Sequence, residues 1–427
     1  MTGRFWLLIC LVYGLLFLGL IALNGAVIAL AIPLVIYLGA ALLSTPEEYQ
    51  LEATRSLSPD TVTAGTEVTV KVSVQNRGSQ TQEYLLEDIL PARVEKVSGD
   101  TRTLAVLAPG EGVEIEYSVK AGRGGYSFQG VRTTDFDRFG LFQRQATLPA
   151  RAHFLVMPEV NRLRSIPIQP RRTHGFAGPI PARRAGSGVN FYGVREYQLG
   201  DPRRRINWKV TARHFEDLFT NELEQERIAD VGLILDARRQ CDVNSRKDSL
   251  FEYSVQATAA LADVFLRDGH RVGLLIYGRG RETTFPGYGK VQRSRILRAL
   301  ARAQTGDNLA LESLANLPTR FFPARSQIVL VSPMIPEDYP ILIRLIACGY
   351  HLMVVSPDPV AFEAKEKNAG KTLELAVRLA HLERVLMLRQ LQRAGVKIVD
   401  WQVDSSLDQA LGLGLGRATR ISGLRGG

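Results

Sequence analysis

The chain has 427 residues, of which 45% are hydrophobic and 22% charged, with a formal net charge of +10. That is long enough for two or three domains and too apolar for a mainly disordered chain. The three cysteines, Cys10, Cys241 and Cys348, lie far apart, and the six histidines form no H-E-x-x-H and no pair at helical spacing. Disulfide-dense modules, Cys-based zinc ribbons and the common zinc hydrolases are thereby excluded.

Residues 1–46 come first. From Phe5 to Thr45 the only ionisable side chains are those of Cys10, Tyr13 and Tyr37, and Asn24-Gly25 breaks the run near its middle. Each half approaches the roughly 18 to 20 apolar residues that cross a bilayer as a helix. A two-helix membrane hairpin is expected. Arg4 and the amino terminus flank the start while the turn is uncharged, which places both ends in the cytoplasm of an inner-membrane, multi-pass protein. Glu47, Glu48 and the single early base Arg55 make that charge bias a small one.

Residues 47–157 alternate in the manner of half-buried strands, as in Val68–Val74 and Val113–Val119, with turn signals such as Asn76-Arg77-Gly78 and Pro109-Gly110-Glu111-Gly112 between them. The spacing predicts an immunoglobulin-like β-sandwich without a catalytic constellation. Residues 158–225 read as a basic connector. Arg151 to Arg213 contains twelve Arg and one Lys against Glu159, Glu196 and Asp201, which equals the whole formal excess. Arg171, Arg172, Arg183 and Arg184 form a stripe suited to an anionic partner, lipid head groups or an acidic protein surface. The alternative is that these arginines pair with carboxylates of the neighbouring domains. No RNP or zinc-finger pattern accompanies them, so nucleic acid is not expected.

Residues 226–411 alternate strands and helices. Strands are predicted at Val231–Asp236, Arg271–Tyr277, Ser326–Val331, His351–Val355 and Val396–Trp401, and helices at Ser249–Arg267, Arg293–Ala303 and Glu374–Ala394. This is the pattern of a doubly wound parallel sheet, whose ligands bind beyond the carboxyl ends of the strands. Asp236, Ser332 and Asp358 stand at those ends. Gly370-Lys371-Thr372 lacks the glycine that a phosphate loop requires, because Lys365 occupies its place. No G-x-S-x-G elbow occurs. Gly412, Gly414 and Gly416 mark residues 412–427 as a Gly-rich tail and follow no strand, so they are no dinucleotide fingerprint.

One stretch resembles a known family. Val194-Arg195-Glu196-Tyr197-Gln198-Leu199-Gly200-Asp201, continuing Pro202-Arg203-Arg204-Arg205-Ile206-Asn207-Trp208 and ending Thr211-Ala212-Arg213, is similar to the signature of bacterial domain-of-unknown-function family 58, and Asp137-Arg138-Phe139-Gly140-Leu141-Phe142 resembles a stretch that often precedes it. The resemblance implies a membrane hairpin, a sandwich and a von Willebrand factor A-like α/β domain. It also implies work beside MoxR-type AAA+ ATPases and other membrane proteins. Such a domain invites a test for a metal-ion-dependent adhesion site, Asp-x-Ser-x-Ser, whose hydroxyls and carboxylate are hard ligands for Mg²⁺. Here the positions read Asp236-Ala237-Arg238-Arg239-Gln240, with a cation where the first hydroxyl belongs. The metal site is read as lost, with Asp236 paired to Arg238 or Arg239, and no cofactor is expected.

The signature has a physical reading of its own. Gly200-Asp201 suits a turn, Arg204 offers a fork to Glu196, and Ile206 and Trp208 are expected to pack on the α/β domain. Together with Arg195, Tyr197 and Arg213 they form a structural clasp between the soluble domains or a partner-docking surface. The function expected is that of a membrane-anchored, non-enzymatic interaction or scaffold protein. The alternative is a hydrolase-like enzyme with its site at the strand ends near Asp236.

Overall fold

The structure is a computed structural model that describes residues 3–43, 50–136, 141, 143–168, 173–174, 180–214, 217–245, 248–278, 280–306, 322–323, 326–365 and 371–422. It divides into two compact units, Met1–Met157 and Pro158–Gly427.

The first unit opens with helices α1 (Gly3–Ile21) and α2 (Gly25–Leu43). The former is long and apolar enough to cross a membrane. They turn at Asn24, whose Oδ1 accepts from the Ala26 N–H at 3.0 Å. Phe5 and Ala41, at the open end of the pair, close a small apolar cluster with Leu141. Leu141 is the one member of the Asp137–Phe142 stretch within the described residues.

The sandwich follows as β1 (Leu51–Ser58), β2 (Thr61–Thr63), β3 (Val68–Asn76), β4 (Gln82–Asp88), β5 (Val94–Gly99), β6 (Arg102–Leu107), β7 (Gly112–Ala121), β8 (Gly124–Phe136) and β9 (Gln143–Met157). Two sheets, ordered β1-β3-β7-β5 and β2-β9-β8-β4-β6, enclose one core. Strict alternation sends Val68, Val70, Val72 and Val74 of β3 inward. Arg55 shares the inward parity of β1 and crosses the core to Asp88 of the other sheet, both side chains being fully buried. The Tyr117 hydroxyl donates to Asp88 Oδ2 at 2.5 Å, and the Arg55 guanidinium lies 4.5 Å from the Phe128 ring centroid. Burial, then the bond to Asp88, pushes the Tyr117 phenol well above its usual range.

The second unit contains β10 (Thr173–His174), β11 (Ile180–Glu196), α3 (Trp208–Thr211), β12 (Phe219–Asp236), α4 (Leu250–Arg267), β13 (Arg271–Tyr277), β14 (Arg281–Gly287), α5 (Gly289–Arg302), β15 (Gln327–Val331), α6 (Tyr339–Ala347), β16 (His351–Pro357), α7 (Pro359–Ala364), α8 (Lys371–Arg393), β17 (Lys397–Trp401) and α9 (Leu407–Ser422). Its sheet runs β14-β13-β12-β15-β16-β17, with β14 antiparallel to β13 and all other neighbours parallel. Ile328, Leu330, Val354 and Ile398 pack with Ile341, Leu342 and Leu345 of α6 and Leu388 and Leu391 of α8. The alternate residues, Val329, Val331, Met353 and Val355, are buried as well, so both faces of the sheet are covered.

Two sequence boundaries need correction. The division at 225/226 falls inside β12, an 18-residue strand whose first half pairs antiparallel with β10 and β11 and whose second half is central in the parallel sheet. Charged residues in Glu222–Arg227 disguised that first half, because its neighbours are ribbon strands and not a buried core. The boundary at 411/412 falls inside α9, so the Gly-rich tail is helical to Ser422 and continues a helix that begins with buried Leu407, Ala410 and Leu411. A Cβ on Gly414 would meet Val399 and the Ile398 carbonyl at 3.1 and 3.2 Å, so that glycine lets α9 lie close on β17. Nor is the start of the connector loose. Leu163, Ile166 and Ile168 are buried, and the Leu163 carbonyl accepts from Arg267 Nη2 at 2.6 Å.

His270, 1% exposed, uses Nδ1 to accept from the Ala229 N–H at 3.3 Å. Burial pulls its pKa down to about 4, against a partial opposing pull from Asp268. The unfolded chain takes up a proton near pH 6.5 that the folded unit refuses, so stability is full above that pH. It should fall by about 1.4 kcal/mol per pH unit between about 6.5 and 4. Urea unfolding across that range should show the slope, and His270→Asn should flatten it; an unchanged slope in the variant would remove His270 as its source.

Candidate functional site

Within the parallel sheet, β12 is followed by β13 on one side and flanked by β15 on the other, and the crevice beyond their carboxyl ends is where open α/β sheets bind ligands. Three oxygen-bearing side chains converge there. Asp236 is the last residue of β12, Ser332 follows β15, and Asp338 closes the short 3-10 turn Pro336–Asp338 that leads into α6. Arg238 occupies the space between them. Its Nε and Nη2 donate to the two oxygens of Asp236 at 2.9 and 2.7 Å. Nη1 and Nη2 donate to the two oxygens of Asp338 at 2.9 and 2.8 Å. Ser332 Oγ donates to Asp236 Oδ2 at 2.7 Å, while the N–H groups of Arg238 and Ile335 supply further bonds to Asp236 and Asp338. All four side chains are buried. Burial alone would lower the Arg238 pKa, but the bonds from both carboxylates prevail and raise it. One planar guanidinium thus bridges two acids by paired bonds, a geometry that lysine cannot reproduce.

A second arginine does the same work beside it. Arg384 of α8 reaches the ends of β15, β16 and β17, donating to the Pro333 carbonyl at 2.8 Å, to Ser356 Oγ at 3.0 Å and to Asp400 Oδ1 at 2.8 Å, with Asp358 at 3.5 Å. The Asp358 carboxylate also caps α7, accepting from the N–H groups of Val360 and Ala361.

This donor set does not fit a divalent cation. The position between Asp236, Ser332 and Asp338 holds a guanidinium carbon framework and five N–H donors, not a lone-pair cavity. No group of three or more His, Cys, Asp or Glu able to hold a metal occurs among the described residues. Nor does the crevice present a nucleophile among the described residues. Ser332 is fully buried with its proton committed to a carboxylate that is itself ion-paired. Burial, then the Asp236 charge, pushes the nearby Cys241 thiol far up, away from a reactive thiolate. A separate cleft of about 450 Å³ at the end of β17 is lined in part by Tyr253, Trp401, Asp404, Ser405 and Asp408.

The signature residues gather around the start of β12. Arg195 donates to Asp201 Oδ1 at 2.8 Å and to the Glu196 carbonyl at 2.8 Å, and its Nε lies 2.9 Å from Glu222 of β12. The bond from Arg195, then the Gln198 N–H, holds the Asp201 carboxyl below its usual range. Gly200 takes φ +109° in this turn, a conformation reserved for glycine, and the Tyr197 hydroxyl donates to the Asp201 carbonyl at 3.1 Å. On the other edge of β12, Ile206 bridges Thr220 and the Asn207 N–H donates to the Phe219 carbonyl at 2.8 Å. Asn207 also caps α3 and bonds Asn221 at 2.7 Å. The segment therefore grips β12 from both edges, and its described contacts lie within the second unit.

Two expectations for it fail. Trp208 is 67% exposed and does not pack on the α/β core, because the Asn207 cap and its strand bonds fix α3 with the indole outward. Arg204 and Glu196 are both exposed, and Arg204 makes no ion pair among the described residues; Arg195 is the arginine that forms the fork. Arg213 is exposed too. Of the proposed anionic-partner stripe, Arg171 and Arg172 lie outside the described residues. Arg183 and Arg184 fall within β11, where only the backbone is described, opposite the stretch of β12 that contains Glu224 and Glu226.

Residues 193–363 match the family described as Protein of unknown function DUF58. The matched stretch begins at the signature and runs past the Arg238 crevice to α7. The chain is also 25% identical over 372 residues to the uncharacterized protein YeaD of Bacillus subtilis (strain 168), covering 85% of each chain. Among solved structures, a FixG-related protein from Vibrio parahaemolyticus is 16% identical, covering 25% of this chain and 95% of its own, with a TM-score of 0.17. The CARDB domain of the PF1109 protein from Pyrococcus furiosus is 15% identical, covering 26% and 97%, with a TM-score of 0.18. Likenesses at these scores carry no argument.

Proposed function

We propose that the chain is a membrane-anchored, non-enzymatic interaction protein whose second unit is a doubly wound, von Willebrand factor A-like domain with an arginine in place of the metal. Counted from β12, the strand order reads 3-2-1-4-5-6, which supports that description of the sheet. The observation that carries the reading is Arg238, which fills the ligand crevice with bonds to Asp236 and Asp338. A fold whose usual reaction space is occupied by its own side chain acts through its outer surface. Both helices of the hairpin carry exposed Leu, Ile, Phe and Trp side chains, Trp6, Leu11, Phe17, Ile32 and Ile36 among them, and lipid is the solvent that suits them. In this reading both helices span the inner membrane, and the charge at Arg4 favours the cytoplasm for the two ends of the hairpin and the units that follow it. The partner class that the family resemblance implies is a MoxR-type AAA+ ATPase.

The test is extraction and capture of the full chain. It should stay in the membrane pellet through carbonate washing, resist protease added to intact cells, and bring an AAA+ ATPase with it after crosslinking and mild detergent. Release by carbonate would remove the anchor, and capture without any ATPase would remove the partner.

A further inference from the structure

Helix α8 is apolar on two opposite faces. Its inner face, with Leu388 and Leu391, packs into the sheet core and carries the buried Arg384. Its outer face carries Leu375, Leu379, Leu382 and Leu386, exposed by 68, 59, 59 and 58%. Their 4-3-4 spacing is the a/d repeat of a coiled-coil seam, and at 3.6 residues per turn the four lie within about 60° of one another. A helix on the outside of a soluble unit ordinarily turns polar residues to that side. Four leucines there form a stripe about 16 Å long with nothing among the described residues over it.

We propose that this stripe is the seam of a parallel two-stranded coiled coil with α8 of a second copy of the chain. The flanking charges select that occupant. With Leu379 and Leu386 at a and Leu375 and Leu382 at d, Arg378 falls at g and Glu383 at the following e, the pair that meets across a parallel dimer. Two-fold symmetry then makes the pair twice. Both side chains stand exposed, and Arg378 bonds Glu374 of its own helix at 2.6 Å, so it is already ordered at the rim. The stripe is also narrow, as a helix seam requires, where a helix lying on lipid exposes a broad apolar face. Because α8 is held in the folded unit, association costs none of the helix ordering that makes short isolated coiled coils marginal.

The full chain in its own membranes provides the test, with the exposed Cys10 and Cys348 replaced by serine and single cysteines introduced by Leu379→Cys, Leu382→Cys and His381→Cys. Mild oxidation should link chains through the first two positions and leave the flanking third monomeric. Arg378→Glu should lower the linked fraction at Leu382→Cys by about tenfold, since like charges then face each other at both rims. Adding Glu383→Arg should restore it. No linkage at either seam position, as lipid or a different protein on the stripe would give, overturns the proposal. Linkage found only between Leu375→Cys and Leu386→Cys chains means an antiparallel pair and overturns it equally, as does failure of the double charge exchange to restore linkage.

Discussion

Arg238→Ala should destabilise the α/β unit by about 3–5 kcal/mol, the range for breaking a buried ion pair from one side. The loss has two parts. Four charge-assisted hydrogen bonds between 2.7 and 2.9 Å disappear. Asp236 and Asp338 then remain buried, acid against acid, with Ser332 and two backbone N–H groups left in place of the guanidinium's four bonds. Arg238→Lys should recover little, because an ammonium cannot bond both carboxylates in a planar fork. Arg213→Ala, at an exposed position, should change stability by no more than about 0.5 kcal/mol. Urea unfolding followed by the fluorescence of the buried Trp401 measures all three. A loss below about 1 kcal/mol for Arg238→Ala would mean that the crevice relaxes or fills with water when the guanidinium leaves.

The second large effect is expected in the sandwich. Asp88→Ala removes the carboxylate that Arg55 crosses the core to meet and leaves a guanidinium with no exposed surface. The Tyr117 hydroxyl loses its acceptor in the same step. The cost should again be about 3–5 kcal/mol, and it should fall on the first unit alone. Pairing the change with Arg55→Met should regain much of the loss, since two apolar side chains of suitable volume often match or exceed a buried ion pair. Thermal unfolding of the two variants decides the matter. If the double variant is as unstable as Asp88→Ala, the damage lies in lost packing and not in the stranded charge.

Local pattern made most of the architecture legible. The alternation of Val68 to Val74 set the inner face of β3, and the apolar run Val231 to Leu235 ending in Asp236 set the central strand. The pairing of Asp236 with Arg238 was readable too, since the two residues are neighbours at a strand end. What lay out of reach was everything that depends on distant residues meeting. Asp338 is 100 residues from Arg238, and only the order β12-β15 brings it there. Arg384 looks like one more surface charge on an amphipathic helix, because nothing in its neighbourhood shows that it faces the carbonyl ends of three strands. Arg55 gave a signal that could have been used, for it stands at the inward parity of β1 beside Leu51, Ala53 and Leu57. Trp208 misled through size: a large apolar side chain implies burial, yet the Asn207 cap decides its direction.

The exposed Trp208 and the grip of Arg195, Asp201 and Glu222 on β12 give the signature two separable parts, a frame and an outer surface. The frame extends the central strand of the α/β unit into the β11–β12 ribbon, and the same strand ends at Asp236.

Calorimetric titration of the full chain with Mg²⁺ and Mn²⁺ asks most directly whether the strand-end crevice belongs to Arg238. With the guanidinium between Asp236, Ser332 and Asp338, the wild-type chain should give no saturable heat at physiological concentrations, and its unfolding temperature should not respond to either ion. A saturable site in the wild type that disappears in Asp236→Ala would show that the crevice takes a metal in spite of Arg238, and the reading of the second unit as an arginine-filled binding module would be contradicted.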